Sequence, residues 1–306
     1  MRDLVAIVGP TGIGKSRLAI RLAQLFNGEI VSADSRQVYR HMDIGTDKPN
    51  DQELALIRHH LISILNPDDD FSLAEYHTMA TRAIEGCIAR GNLPFLVGGS
   101  GQYIWSVLEG WGVPKVPPDK ELRRNLEMEA ERDGGEGLYR ELASSDPVAA
   151  GNIDRHNIRR VIRAIEITRG TGQKFSGLKE KNEPPYKTVI IGLNADREEL
   201  YRRIDKRIDK MIERGLIAEV EKLIKMGYPP DLPSLSGIGY KQIAAYLNGQ
   251  ASKEAAIQQI KYESHRFVRH QYNWFKPDDK RIHWFDTGGS IEAGITRLIR
   301  DFISSS

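Results

Sequence analysis

The feature that most constrains this chain is the segment Gly9-Pro10-Thr11-Gly12-Ile13-Gly14-Lys15-Ser16, which fits the pattern G-x-x-x-x-G-K-[ST]. An aliphatic run, Leu4 to Gly9, leads into it, and an amphipathic stretch, Arg17 to Phe26, follows. A strand, a glycine-rich turn and a helix in that order make a phosphate-binding loop. The glycines let backbone N–H groups turn inward around phosphate oxygens, and the helix N-terminus adds partial positive charge. Lys15 supplies a point charge, and the Ser16 hydroxyl is an oxygen ligand suited to Mg²⁺. The loop therefore predicts a diphosphate or triphosphate site at Gly9, Pro10, Thr11, Gly12, Ile13, Gly14, Lys15 and Ser16, with magnesium at Ser16. It recognises phosphate and not a base.

Further apolar runs at Glu29 to Asp34, Leu93 to Gly98 and Thr188 to Leu193 alternate with helical periodicity. Runs apolar on both faces suit a parallel sheet covered by helices, with ligands at the strands' C-terminal ends. The predicted fold class is α/β, a P-loop NTPase-like core with a parallel sheet and an inserted helical domain. Punctuation by Gly112, Pro114, Pro117 and Pro118, then charged helical sequence up to Pro184-Pro185, places the insertion at 113–186 and the core at 1–112 and 187–306. A last run, Ile282 to Phe285, predicts an edge strand. The 40% hydrophobic and 28% charged residues exclude collagen-like and wholly disordered classes. With 44 Lys+Arg against 42 Asp+Glu, any nucleic acid must be held by local basic faces and not by bulk charge. A single cysteine, Cys87, excludes an internal disulfide and fits a reducing compartment. The chain runs from Met1 straight into strand pattern and has no apolar run of transmembrane length, so a cytoplasmic protein without a membrane segment is expected. His59-His60 and Cys87 read as structural.

A P-loop ATPase would end a later core strand in an aspartate that holds the metal and helps to position water. Here Leu93 to Gly98 runs into Gly98-Gly99-Ser100-Gly101, with no carboxylate. Asp34, at the end of the second strand, is the best-placed general base, although an Asp-Ser pair at such a position equally suits a turn cap.

Together with the loop, Asp34-Ser35-Arg36-Gln37-Val38-Tyr39, Met42-Asp43-Ile44-Gly45-Thr46, Gly98-Gly99-Ser100-Gly101-Gln102-Tyr103 and Ser236-Gly237-Ile238-Gly239-Tyr240 resemble the tRNA dimethylallyltransferase (tRNA isopentenyltransferase) family over nearly the whole chain. The resemblance implies transfer of a dimethylallyl group from dimethylallyl diphosphate to N6 of the adenosine 3′-adjacent to the anticodon in tRNA, with release of diphosphate. It implies Asp34 as base, Lys15 and Arg207 on the diphosphate, and Thr11 near the diphosphate or the attacked carbon. Asp34, Ser35, Arg36, Gln37, Ser100, Arg123, Asn157, Ile158, Arg159, Arg160 and Val161 fall where the family contacts tRNA. Arg36 departs from the family's small or apolar choice, and Ser100 stands where threonine is commoner. The implied partners are dimethylallyl diphosphate and a tRNA anticodon stem-loop, taken by a monomer. The missing hydrolytic aspartate agrees, because an allylic leaving group needs charge neutralisation and no attacking water. The loop would also pass for an ATP site, and nucleotide binding without ATP consumption is expected.

Arg155, Arg159, Arg160 and Arg163 make a cationic helix face opposite Ile158, Val161, Ile162 and Ile165. With Asp154 and Glu166 the only acids between Asp154 and Arg169, that face reads as poorly neutralised. Arg203, Arg207, Lys210 and Arg214 form a second stripe, a candidate lid over phosphates or a salt-bridged surface. Tyr262, Arg266, Arg269, Trp274 and Lys276 suit stacking and backbone contacts. His265 and His270 replace the family's usual arginines there. Two rivals remain at this level, a P-loop kinase acting on a nucleoside or small metabolite and a nucleotide-switched RNA-binding module. A prenyltransferase acting on free nucleotide is disfavoured by the basic insertion.

Overall fold

In the computed structural model, residues 2–114, 116, 119–178 and 185–305 are described. Six strands form one parallel sheet: β1 (Asp3–Val8), β2 (Gly28–Ala33), β3 (His59–His60), β4 (Leu93–Gly98), β5 (Lys187–Asn194) and β6 (Ile282–Asp286). Their order is β3-β2-β4-β1-β5-β6. The central strand β1 pairs Val5 with Phe95 of β4 and with Val189 of β5. From Leu4 to Val8 it is fully buried, as helices on both faces of a parallel sheet require. The expected edge strand is β6, paired to β5 through Ile190 and Ile282. β3 has no apolar run of its own. Its two histidines pair with Ile30 and Val31, and His60 also reaches the buried Glu29 carboxylate.

The helix Lys15–Leu25 starts at Gly14, whose φ of 98° lies in the left-handed region, and buries Leu18, Ala19, Ile20, Leu22 and Ala23 on the sheet side. Because every strand runs the same way, β1, β2, β4 and β5 deliver Gly9, Asp34, Gly99 and Asn194 to one edge of the sheet. The close spacing there is demanding. A Cβ on Gly9 would lie 2.6 Å from the Leu193 carbonyl oxygen, and the residue's φ is +139°.

The chain divides into two compact units. The first comprises Met1–Phe71, Thr78–Leu108 and Pro185–Ser306, and the second Ser72–His77 with Glu109–Pro184. The second unit contains the helices Lys120–Asp133, Glu136–Ser145, Pro147–Asn152 and Ile158–Thr171. Leu126, Leu138, Leu142, Val161, Ile162 and Ile165 make its core. It begins a few residues before 113 and includes the short segment 72–77, which carries no composition signal. No helix among the described residues is long and apolar enough to cross a membrane.

Candidate phosphate-binding site and basic helix

At the C-terminal edge of the sheet, the first unit encloses a cavity of about 980 Å³ lined by Thr11 to Leu18, Asp34, Gln37, Thr46 to Asn50, Gly98, Gly99, Arg203, Arg207 and Arg214, among others. Seven basic side chains (Lys15, Arg17, Arg21, Lys48, Arg203, Arg207, Arg214) face it against three acids (Asp34, Asp47, Glu53), which favours an anionic occupant.

Within the phosphate loop, Lys15 Nζ donates to the carbonyls of Gly9 (2.9 Å) and Pro10 (2.8 Å). Burial lowers its pKa from 10.5 to about 7, against the pull of the Asp34 carboxylate and with the help of the Arg207 charge. Thr11 is held twice. Its backbone N–H donates to Gln271 Oε1 at 2.8 Å, and its Oγ1 accepts from Arg207 Nη2 at 3.0 Å. Arg207 also approaches Asp47 (3.4 Å), while its buried Nε has no hydrogen-bond partner among the described residues. The exposed Ser16 lies on the cavity wall one residue beyond Lys15.

Asp34 brings together the two roles weighed for it. Its Oδ1 accepts the backbone N–H groups of Arg36 (2.8 Å) and Gln37 (3.3 Å), a turn cap, while the carboxylate faces the cavity beside Lys15. Ser100 Oγ accepts the Ser35 N–H at 3.2 Å and so ties the end of β4 to this turn. Gln37 also faces the cavity, with its amide shared between Ser32 Oγ (3.2 Å) and the carbonyls of Thr46 (3.2 Å) and Asp47 (3.4 Å). Arg36, expected at RNA, is instead committed to the chain itself: it donates to the carbonyls of Pro233 and Ser234 and to Ser236 Oγ. An arginine in that place braces the loop before Ser236-Gly237-Ile238-Gly239-Tyr240.

The second arginine stripe divides. Arg203, Arg207 and Arg214 line the cavity, whereas Lys210, one turn from Arg207, is exposed and lies outside it. Arg203 is braced by Glu199 (2.9 Å) and Thr287 (3.1 Å).

In the second unit the basic helix differs from the expectation in three places. Glu166 is only 2% exposed and accepts Arg123 through both Nε (2.9 Å) and Nη2 (2.8 Å), the Asp119 N–H and Arg163. The face is therefore partly neutralised: Arg123 and Arg163 serve this buried carboxylate, and Arg155 pairs with Glu136 at 3.6 Å. Val161 is wholly buried, so its side chain packs the core and cannot meet a ligand. Asn157 caps the helix by accepting the Arg160 N–H, and Ile158 is half-buried against the core. Arg159 and Arg160 remain exposed, with no charged partner among the described residues.

Sequence reasoning missed Gln271, Asp47 and Glu219. Glu219 accepts the backbone N–H groups of Asp43 (2.9 Å), Ile44 (2.7 Å) and Gly45 (3.1 Å) and the Tyr240 hydroxyl (2.6 Å). It thus fixes the loop that carries Thr46, Asp47 and the buried Lys48. Gln271 did leave a signal, a lone amide in register with the apolar face Ile260, Val268 and Phe275.

A family model described as IPP transferase matches residues 37–278. The chain is 51% identical to a tRNA dimethylallyltransferase of Dehalococcoides mccartyi, over 100% of this chain and 93% of the relative. It is also 51% identical to a tRNA dimethylallyltransferase of Thermomicrobium roseum, over 93% of this chain and 86% of the relative. Among solved structures, a tRNA isopentenylpyrophosphate transferase from Bacillus halodurans aligns with a TM-score of 0.75 at 39% identity, covering 100% of this chain and 98% of that one. A eukaryotic dimethylallyltransferase acting on tRNA aligns with a TM-score of 0.84 at 28% identity, covering 100% and 80% respectively.

Proposed function

From the premise that the chain belongs to the IPP transferase family, we propose that it transfers a dimethylallyl group from dimethylallyl diphosphate to N6 of the adenosine 3′-adjacent to the anticodon in tRNA, releasing diphosphate. The observation that carries this reading is the convergence of Lys15, Thr11, Arg207 and Asp34 on one cavity, with cations on the phosphate loop and a carboxylate beside them.

In the reaction, the N6 lone pair attacks C1 of the dimethylallyl group, the N6–C1 bond forms, and the C1–O bond breaks with its electrons passing to diphosphate. Lys15 and Arg207 neutralise the charge that grows on the bridging oxygen, and Arg207 Nε, without a partner among the described residues, is a further donor to it. With Asp34 Oδ1 committed to the turn, Oδ2 takes the proton from N6. Thr11 Oγ1 holds Arg207 in place. Gln37 and the Ser35–Ser100 contact fix the turn that presents Asp34. The exposed Ser16 hydroxyl fits a hard cation, so a bound magnesium would be held there and would add charge neutralisation of the diphosphate.

The target adenine must leave its stack, which costs a few kcal/mol and is easiest in a single-stranded loop, so an anticodon stem-loop suits the site. Arg159 and Arg160 of the second unit are its phosphate contacts. We place the activity in the cytoplasm, on the strength of the tRNA substrate and the lone, buried Cys87. A monomer suffices, since the residues lining the cavity belong to one compact unit.

A single-turnover assay with tRNA, Mg²⁺ and labelled dimethylallyl diphosphate tests the reading. Label on N6 of the adenosine 3′ of the anticodon is the expected outcome, and unlabelled tRNA with intact diphosphate ester would refute it.

A further inference from the structure

We infer that Gln271 is a positioning residue for the phosphate loop, whose buried amide fixes Thr11 and, through Thr11, the Arg207 guanidinium. The inference deepens the function proposed above and rests on it.

The helix Lys253–Trp274 buries Ile260, Ser264 and Val268 on one face, and Gln271, 4% exposed, continues that row. A primary amide there is costly unless each end is bonded. Both ends are: Oε1 accepts the Thr11 N–H at 2.8 Å, and Nε2 donates to the Gly99 carbonyl at 3.0 Å. The amide orientation is fixed by its partners, because a backbone N–H only donates and a carbonyl only accepts. Gly99 makes the contact possible, since a Cβ at that position would lie 2.2 Å from Nε2. One side chain thus joins the loop after β1 to the loop after β4. On the other side of Thr11, its hydroxyl receives Arg207 Nη2 at 3.0 Å. Gln271, Thr11 and Arg207 form a chain of hydrogen bonds that ends in the cavity.

The end of the helix has other anchors. Tyr272 Oη donates to Asn194 Oδ1 at 2.7 Å, and Trp105 Nε1 donates to the Trp274 carbonyl at 2.9 Å. Replacing the amide therefore leaves the helix in place and releases only the loop.

Gln271→Met, similar in volume and in helix propensity, removes both hydrogen bonds. The experiment measures pyrophosphate affinity, single-turnover prenyl transfer, tRNA affinity and thermal unfolding for this variant, for Thr11→Val and for the double variant. The expected result is roughly a tenfold loss in pyrophosphate affinity and in transfer efficiency, the scale of one lost hydrogen bond, with tRNA affinity unchanged. In the Thr11→Val background, Gln271→Met should cost much less, because the path to Arg207 is already broken. Unaltered pyrophosphate affinity, or an equal loss in both backgrounds, would overturn the inference and leave Gln271 a packing residue. Should the methionine variant fail to fold, Gln271→Asn, which withdraws the amide by one methylene, replaces it under the same criteria. Absence of prenyl transfer by the unaltered protein would sink the proposed function, whereas pyrophosphate affinity would still decide the role of Gln271.

Discussion

At the scale of single residues, Lys15 shows how the fold prepares a charge for use. Its ammonium is surrounded by the carbonyls of Gly9 and Pro10, and burial brings its pKa down to about 7. Between that value and 10.5, the unfolded chain holds a proton that the folded chain has lost. Stability contributed by this group therefore rises with pH across that window, and its penalty is fully present below pH 7. The proposed diphosphate, once bound, would reverse the balance and restore the proton to the amine. Calorimetry of inorganic pyrophosphate binding at pH 8, in buffers of different ionisation enthalpy, should show proton uptake that Lys15→Arg abolishes; equal uptake in both proteins would refute this assignment. Lys15→Ala should remove use of dimethylallyl diphosphate and leave tRNA affinity nearly intact. Asp34→Asn should preserve the turn acceptor at Oδ1 and slow the chemical step by about 10² to 10⁴-fold, with substrate affinities little changed. Single-turnover rates near those of the unaltered protein would leave Asp34 with the capping role alone. Arg207 and Arg214 approach Asp47 at 3.4 and 3.8 Å, but this acid is 43% exposed. Such pairs contribute at most about 1 kcal/mol, so the proposed diphosphate would displace them readily.

At the scale of elements, the helix Ile158–Thr171 divides its arginines between a buried carboxylate and the exposed surface. Arg163 joins Arg123 on the buried Glu166, so removing it would leave that carboxylate to Arg123 and the Asp119 N–H with one partner fewer, whereas Arg159 and Arg160 can lose charge without consequence for packing. Arg159→Gln with Arg160→Gln should weaken binding to all substrate tRNAs and reduce the slope of log K against log salt by up to about 1.4 to 1.8, with cooperative unfolding retained. Superimposable salt titrations would return this face to solvent. β1, β2, β4 and β5 were legible because each carries an apolar run. β3 was not, since two histidines become a strand only through pairing with β2. The same distinction holds in the site. The phosphate loop is a local pattern, and Asp34 follows from its place at a strand end. Gln271, Glu219 and the true partners of Arg36 depend on side chains meeting across 172 to 260 residues of chain in the first case, 174 to 176 in the second and 197 to 200 in the third. No local window contains those encounters.

For the molecule as a whole, charge is distributed by place and not by excess. A formal charge of +2 leaves no bulk attraction for nucleic acid, yet seven basic side chains line one cavity in the first unit and two exposed arginines without a charged partner among the described residues stand on one helix of the second. The first arrangement suits a diphosphate and the second an RNA backbone, which is why loss of Lys15 and loss of the Arg159–Arg160 pair should have separable effects. β4 ends in Gly98 and Gly99 without a carboxylate, and the proposed transfer, which has no attacking water, needs none there. The most direct test gives the protein dimethylallyl diphosphate, ATP, Mg²⁺ and tRNA together and quantifies the products of a single turnover. One diphosphate released for each adenosine prenylated, with no ADP, is the expected result; formation of ADP in step with turnover would contradict prenyl transfer from the diphosphate ester.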